Sequence, residues 1–128
     1  MSIPISTLYV AVLGLMFIPF TAYVGAYRAK NNILIMDGGD PEMTRRIRAQ
    51  ANFIETVPLA VILIILMEIN GAGSTWLHSL GAVLVVARFV HYLTMVTNPA
   101  NAVPRALGML GTISVYLVSS IWLLTQVL

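Results

Sequence analysis

The sequence predicts an all-α membrane protein: a four-transmembrane-helix bundle in one domain, residues 1–128. Three features carry that expectation. Hydrophobic residues make up 59% of the chain and charged residues only 9%, against roughly 25% charged in soluble domains. So short a soluble fold leaves too much surface exposed to hide the excess, so lipid must solvate it. The apolar residues also gather into four runs, each near the ~20 residues a helix needs to cross a bilayer. Finally, no run alternates with period two, and in lipid only helices and closed barrels satisfy every backbone group.

The first span runs from about Ser6 to Tyr27. It has no basic segment before it and is too long for a cleaved signal peptide, so it reads as a retained helix. The loop "RAKNNILIMDGGDPEMTRR" follows. Its "DGGDPE" reads as a turn, then Asp40 as N-cap, Pro41 at the first helical position and Glu42 in the first turn. The second helix therefore starts near Asp40, ahead of its membrane run from about Ala49 to Met67. "EINGAGST" is a short turn in which Ser74 or Thr75 is placed to cap the third helix. That span runs from about Trp76 to Val96. "TNPANAVPR" is a second turn, with Pro104 suited to the first turn of the fourth helix. The last span runs from about Ala106 to Val127.

Five of the seven Lys and Arg residues, Arg28, Lys30, Arg45, Arg46 and Arg48, flank the first loop, and Arg105 borders the third. The positive-inside bias puts both loops in the cytoplasm and both termini outside. There is no cysteine, which excludes disulfides, a thiolate nucleophile of the protein's own and Cys-ligated metal. No histidine pair has metal-ligand spacing, so no metal is expected. A net charge of +2, with its cations local to loops, excludes a nucleic-acid surface.

The informative residues lie in "RIRAQANFIETVP". Arg48, Asn52 and Glu55 follow i, i+4, i+7 spacing and form one stripe within about 60° of arc. Gln50 points elsewhere. Glu55 lies roughly 10 Å along the helix from Arg48, inside the bilayer boundary. Ionisable groups at such depth face the bundle interior and pair. Arg88 and His91 on the third helix reach a similar depth, and Arg105 opens the fourth on the same side. Two readings follow. In the structural one, Glu55 pairs with Arg48 or Arg88 and orients the helices. In the functional one, the converging cations and amides bind an anionic polar ligand from the cytoplasm. Arg45 and Arg46 read as headgroup-level residues and Glu68 as an exposed helix end. Gly108, Gly111, Ser119 and Ser120 would allow close helix packing.

"RAQANFIETVPL" resembles the signature of the MAPEG family, membrane-associated proteins in eicosanoid and glutathione metabolism. "DGGDPEMTRRIRAQANFIETVPLAVILIILME" is similar to its bacterial branch, and the likeness covers effectively the whole chain. The resemblance implies a homotrimer in the bacterial inner membrane, with glutathione as cosubstrate bound between subunits on the cytoplasmic side. It implies that Arg48 holds a glutathione carboxylate, Asn52 the peptide and Glu55 the amino group. Gln50 matches a position whose partner lies across the interface, and Arg28 sits near the family's basic end of the first helix. Arg105 is similar to the arginine that stabilises the thiolate. The sequence departs from the family pattern at Thr56, where a tyrosine is usual, and at His91 and Met95, with Tyr92 one residue off. The implied activity is a glutathione transferase or peroxidase acting on lipophilic electrophiles. The alternative is a non-catalytic trimer, a structural or accessory subunit of a membrane complex. A small multidrug exporter is set aside because the first helix carries no acid.

Overall fold

The computed structural model describes residues 2–128. Four helices take up most of them: α1 (Pro4–Asn31), α2 (Pro41–Ile69), α3 (Ser74–Thr97) and α4 (Ala102–Val127). All four are long and apolar enough to cross a membrane. Pro19 and Pro58 lie inside α1 and α2, yet each is a single helix.

The helix starts show local chemistry at work. Asp40 caps α2 as expected: Oδ1 accepts from Glu42 N at 2.8 Å and Met43 N at 3.4 Å. Tyr27 Oη donates to Asp40 Oδ2 at 2.8 Å, tying the end of α1 to the start of α2. That hydrogen bond holds the Asp40 carboxyl below the ordinary carboxylate range. Asp37 is held low chiefly by the Thr44 hydroxyl and then by Gly39 N–H. Asn101 caps α4, accepting from Val103 N at 3.3 Å, and Pro104 lies in its first turn. At α3 the expectation needs correction. Its N-cap is Gly73, and neither Ser74 nor Thr75 supplies a side-chain cap, because the helix already begins at Ser74.

Consecutive helices pack against each other. α2 and α3 form a central pair that both α1 and α4 touch, while α1 and α4 do not pack together among the described residues. An aromatic wedge fixes α1 to this pair. Phe20 stacks on Tyr92 and meets Phe53 edge-on, with centroids 3.5 and 5.3 Å apart. Tyr92 Oη also donates to the Phe20 carbonyl at 3.3 Å. Tyr92 is therefore a buried packing residue. On the other side α4 comes very close to α3. A Cβ on Gly108 would lie 2.7 Å from the Ala87 carbonyl oxygen, and one on Gly111 would lie 2.9 Å from Ala87 Cβ. Ser119 is buried as well.

Glu68 is not an exposed helix end. α1 starts after Ile3, which offers no side-chain cap, so its first N–H groups need an outside acceptor. Glu68 supplies it from α2, with Oε1 accepting from Ile5 N at 2.9 Å and Oε2 from Ser6 N at 2.7 Å. Nearby, Tyr9 Oη hydrogen-bonds His78 Nδ1 at 3.1 Å. The Tyr9 ring lies directly over Gly81, where a Cβ would stand 2.3 Å from it. This end of the bundle is closed by contacts within the chain.

Candidate functional site

At the loop-one end the polar residues separate into two groups. The first is a buried junction of α2, α3 and α4 centred on Arg88, which is 1% exposed. Its Nη1 donates to Asn52 Oδ1 at 2.8 Å and to Thr56 Oγ1 at 3.0 Å. Its Nη2 donates to the Gly108 carbonyl at 2.8 Å. No acid pairs with it among the described residues. Neutral oxygens hold this guanidinium, which its planar fork of donors allows. Tyr116 adds a contact from α4, its hydroxyl donating to the Thr56 carbonyl. The absence of a side chain at Gly108 serves twice: it lets α4 approach α3 and leaves its carbonyl within Arg88's reach. His91 is buried at that same crossing, 2.8 Å from where a Gly108 Cβ would stand.

The second group faces outward. Arg48 Nη1 lies 3.6 Å from Glu55 Oε1, with side chains 58% and 56% exposed. Of the two partners expected for Glu55, the structure selects Arg48. Arg88 is instead engaged by Asn52, which sits between the two charges along the helix. Because Arg88 occupies the amide oxygen of Asn52, the Asn52 amide N–H groups remain as donors beside the charged pair.

The other predicted residues fall around this stripe. Gln50 Nε2 donates to Thr21 Oγ1 on α1 at 2.9 Å, so it already has a partner within the chain. Arg28 is half-buried in the last turn of α1. Arg105 is exposed, its Nη1 only 3.4 Å from the Pro99 carbonyl across the α3–α4 turn. It makes no ion pair with Glu55 or any other acid among the described residues. Arg45 and Arg46 both pair with Glu42, and Arg46 also lies over the Tyr23 and Tyr27 rings, 3.7 and 4.2 Å from their centroids.

Thr21, Thr56 as an acceptor and Tyr116 were not singled out from sequence. Tyr116 carried a usable signal, since a phenol in an apolar helix needs a hydrogen-bond partner. An apolar groove of about 480 Å³ runs between α3 and α4 over Gly108 and Gly111, and none of Arg48, Asn52, Glu55 or Arg105 lines it.

The stripe's order on α2 is the pattern on which the likeness rested, and comparison with known proteins agrees. The MAPEG family model matches residues 6–125. The chain belongs to the MAPEG family. It is also similar to the inner membrane protein YecN of Escherichia coli strain K12, 34% identical over 88 residues, covering 69% of this chain and 67% of that one. YecN of E. coli O6:H1 strain CFT073 matches to the same extent. In this MAPEG chain, the aligned family span takes in α2, α3 and nearly all of α1 and α4, with the Arg88 junction and the outward-facing pair.

Proposed function

We propose that this protein is an inner-membrane, glutathione-using enzyme of transferase or peroxidase type, assembled as a homotrimer and acting on lipophilic electrophiles. One observation carries the reading. Arg48 and Glu55 stand more than half exposed on a helix that crosses the bilayer. Ionisable groups there are costly unless covered by protein, water or a polar ligand. A neighbouring subunit packed against this face of α2 would cover them. Glutathione would complete the pairing, because it brings both carboxylates and an ammonium group.

In this reading Arg48 holds a ligand carboxylate, Glu55 takes the amino group and an Asn52 amide N–H reaches a peptide carbonyl. Gln50 and Arg28 extend the polar wall. Arg88 does not touch the ligand and acts by fixing the Asn52 amide. Arg105 belongs to the sulfur end. A cation there favours the thiolate, which is the reacting form. In transfer, that sulfur forms a C–S bond to the electrophile as the leaving group departs or a strained ring opens. The inner-membrane location rests on the four apolar helices and on the name of the E. coli relatives.

A non-catalytic trimer is the second reading. It is favoured by Thr56, whose hydroxyl donates to the Asn52 carbonyl and accepts from Arg88. No phenol stands at that position of the stripe. Thiolate absorbance during glutathione titration of the purified protein separates the two. The enzyme reading expects a saturable signal in the wild type, with an apparent thiol pKa that rises in Arg105→Ala. No saturable binding at millimolar glutathione would leave the scaffold.

A further inference from the structure

The first loop carries an apolar tip that the fold holds out of the bundle. Leu34, Ile35 and Met36 are 96%, 78% and 75% exposed, an unusual run of three large apolar side chains in a connecting segment. The tip is not loose. Ile33 N bonds the Arg28 carbonyl at 3.0 Å, and Ile33 packs on Gly38, 3.3 Å from where its Cβ would be. Asp37 ties the far side, accepting from Gly39 N at 3.0 Å and Thr44 Oγ1 at 2.6 Å. Met36 itself adopts φ 54°, a left-handed conformation uncommon for a residue with a side chain. Ile33 thus turns in while the next three residues turn out.

The level of the loop identifies what meets them. α1 has 28 residues, roughly 42 Å at about 1.5 Å per residue, longer than the ~30 Å hydrocarbon core. That surplus, with Arg28 and Lys30 in the last turn, puts this end of α1 among the headgroups. Tyr23 and Tyr27 near that end suit the aromatic belt of a membrane interface. With Lys30 and Arg46 they line a cleft of about 450 Å³. The charges are complementary to lipid phosphate. All three acids of the segment are engaged within it, Asp37 with Thr44, Asp40 with Tyr27 and the α2 start, Glu42 with Arg45 and Arg46. Arg28 and Lys30 form no ion pair among the described residues.

We propose that Leu34, Ile35 and Met36 insert into the anionic headgroup layer of the membrane that α1 and α2 cross, with Lys30 beside them meeting lipid phosphate. Apolar side chains at the headgroup–acyl boundary leave water, while adjacent cations gain from the anionic surface. The loop is then a lipid anchor that fixes the depth of the α1–α2 hairpin.

The chain contains no cysteine, so single labels can be introduced cleanly. Leu34→Cys, Ile35→Cys and Met36→Cys would each carry a nitroxide, with the full-length protein in nanodiscs of phosphatidylcholine alone or mixed with phosphatidylglycerol. Power saturation then compares accessibility to oxygen and to a water-soluble nickel chelate. Insertion predicts oxygen accessibility several-fold above that of nickel. It also predicts a deeper position in the anionic discs, which Lys30→Gln reduces. Nickel accessibility matching that of a water-exposed label, in both lipids, would overturn the proposal. So would labels shielded from both reagents with spin–spin broadening, because another copy of the chain would then cover the tip.

Discussion

α2 carries two carboxylates that the fold treats in opposite ways. Glu68 has both oxygens occupied by α1 backbone N–H groups. Glu55 is more than half exposed and, among the described residues, pairs only with Arg48, at 3.6 Å. The difference separates a charge used to build the bundle from one left at its surface. Helix α1 starts without a cap of its own, so Glu68 has a structural task. Among the described residues no helix start depends on Glu55 in that way. The Arg48–Glu55 pair lies within α2 and ties no second helix into the bundle. Its occurrence in a membrane helix points outward, to another subunit or a ligand.

The largest effect is expected at the Arg88 junction, which meets α2 at the level of Glu55 through Asn52 and Thr56. Arg88→Leu removes the donor shared by Asn52, Thr56 and Gly108, and should cost roughly 3 kcal/mol. A denaturation series in mild detergent checks this. Because Asn52 also loses its anchor, glutathione binding should fall even in the fraction that remains folded. Gly108→Ala should cost about 1–3 kcal/mol in the same assay, since the new Cβ meets backbone at Ala87.

Glu68→Ala should cost about 1 kcal/mol, the usual scale for a lost helix cap, with faster hydrogen exchange at Ile5 and Ser6. Glu55→Gln should shift the stability of the bundle less than Glu68→Ala does, because its pair ties no second helix in place. An equal loss in both variants would erase the distinction drawn here.

The smallest effect is on the acid side. Asp37 and Asp40 have folded pKa values below their unfolded value of 3.8. Their stabilising contribution is complete above that unfolded value and is lost as pH falls through the folded values. Hydrogen-exchange protection at the first turn of α2, relative to the intrinsic rate at each pH, should therefore be flat near neutral pH and fall only in strong acid. Asp40→Asn should weaken that fall.

What could be read from sequence followed from local rules. The spans came from composition and run length, and the Asp40 cap and Pro104 came from turn chemistry. The Arg48–Asn52–Glu55 stripe came from helical spacing within one element. What could not be read depended on how helices rotate against each other. Arg88 was one of two expected partners for Glu55, yet the close approach of α4 at Gly108 offers its guanidinium a carbonyl instead. Glu68 was misread because its task depends on where the α1 start lies beside the α2 end, a contact between residues far apart in sequence. Tyr92, one residue off the family's tyrosine position, is drawn toward α1 by its stacking on Phe20.

The most direct test of the account is equilibrium glutathione binding to the purified protein, comparing wild type, Glu55→Gln and Glu68→Gln. The account predicts saturable wild-type binding, a loss of about tenfold or more in Glu55→Gln, as expected for one charge-assisted contact, and near wild-type affinity in Glu68→Gln. Binding that is unaffected by Glu55→Gln, or weakened as much by Glu68→Gln, would contradict it.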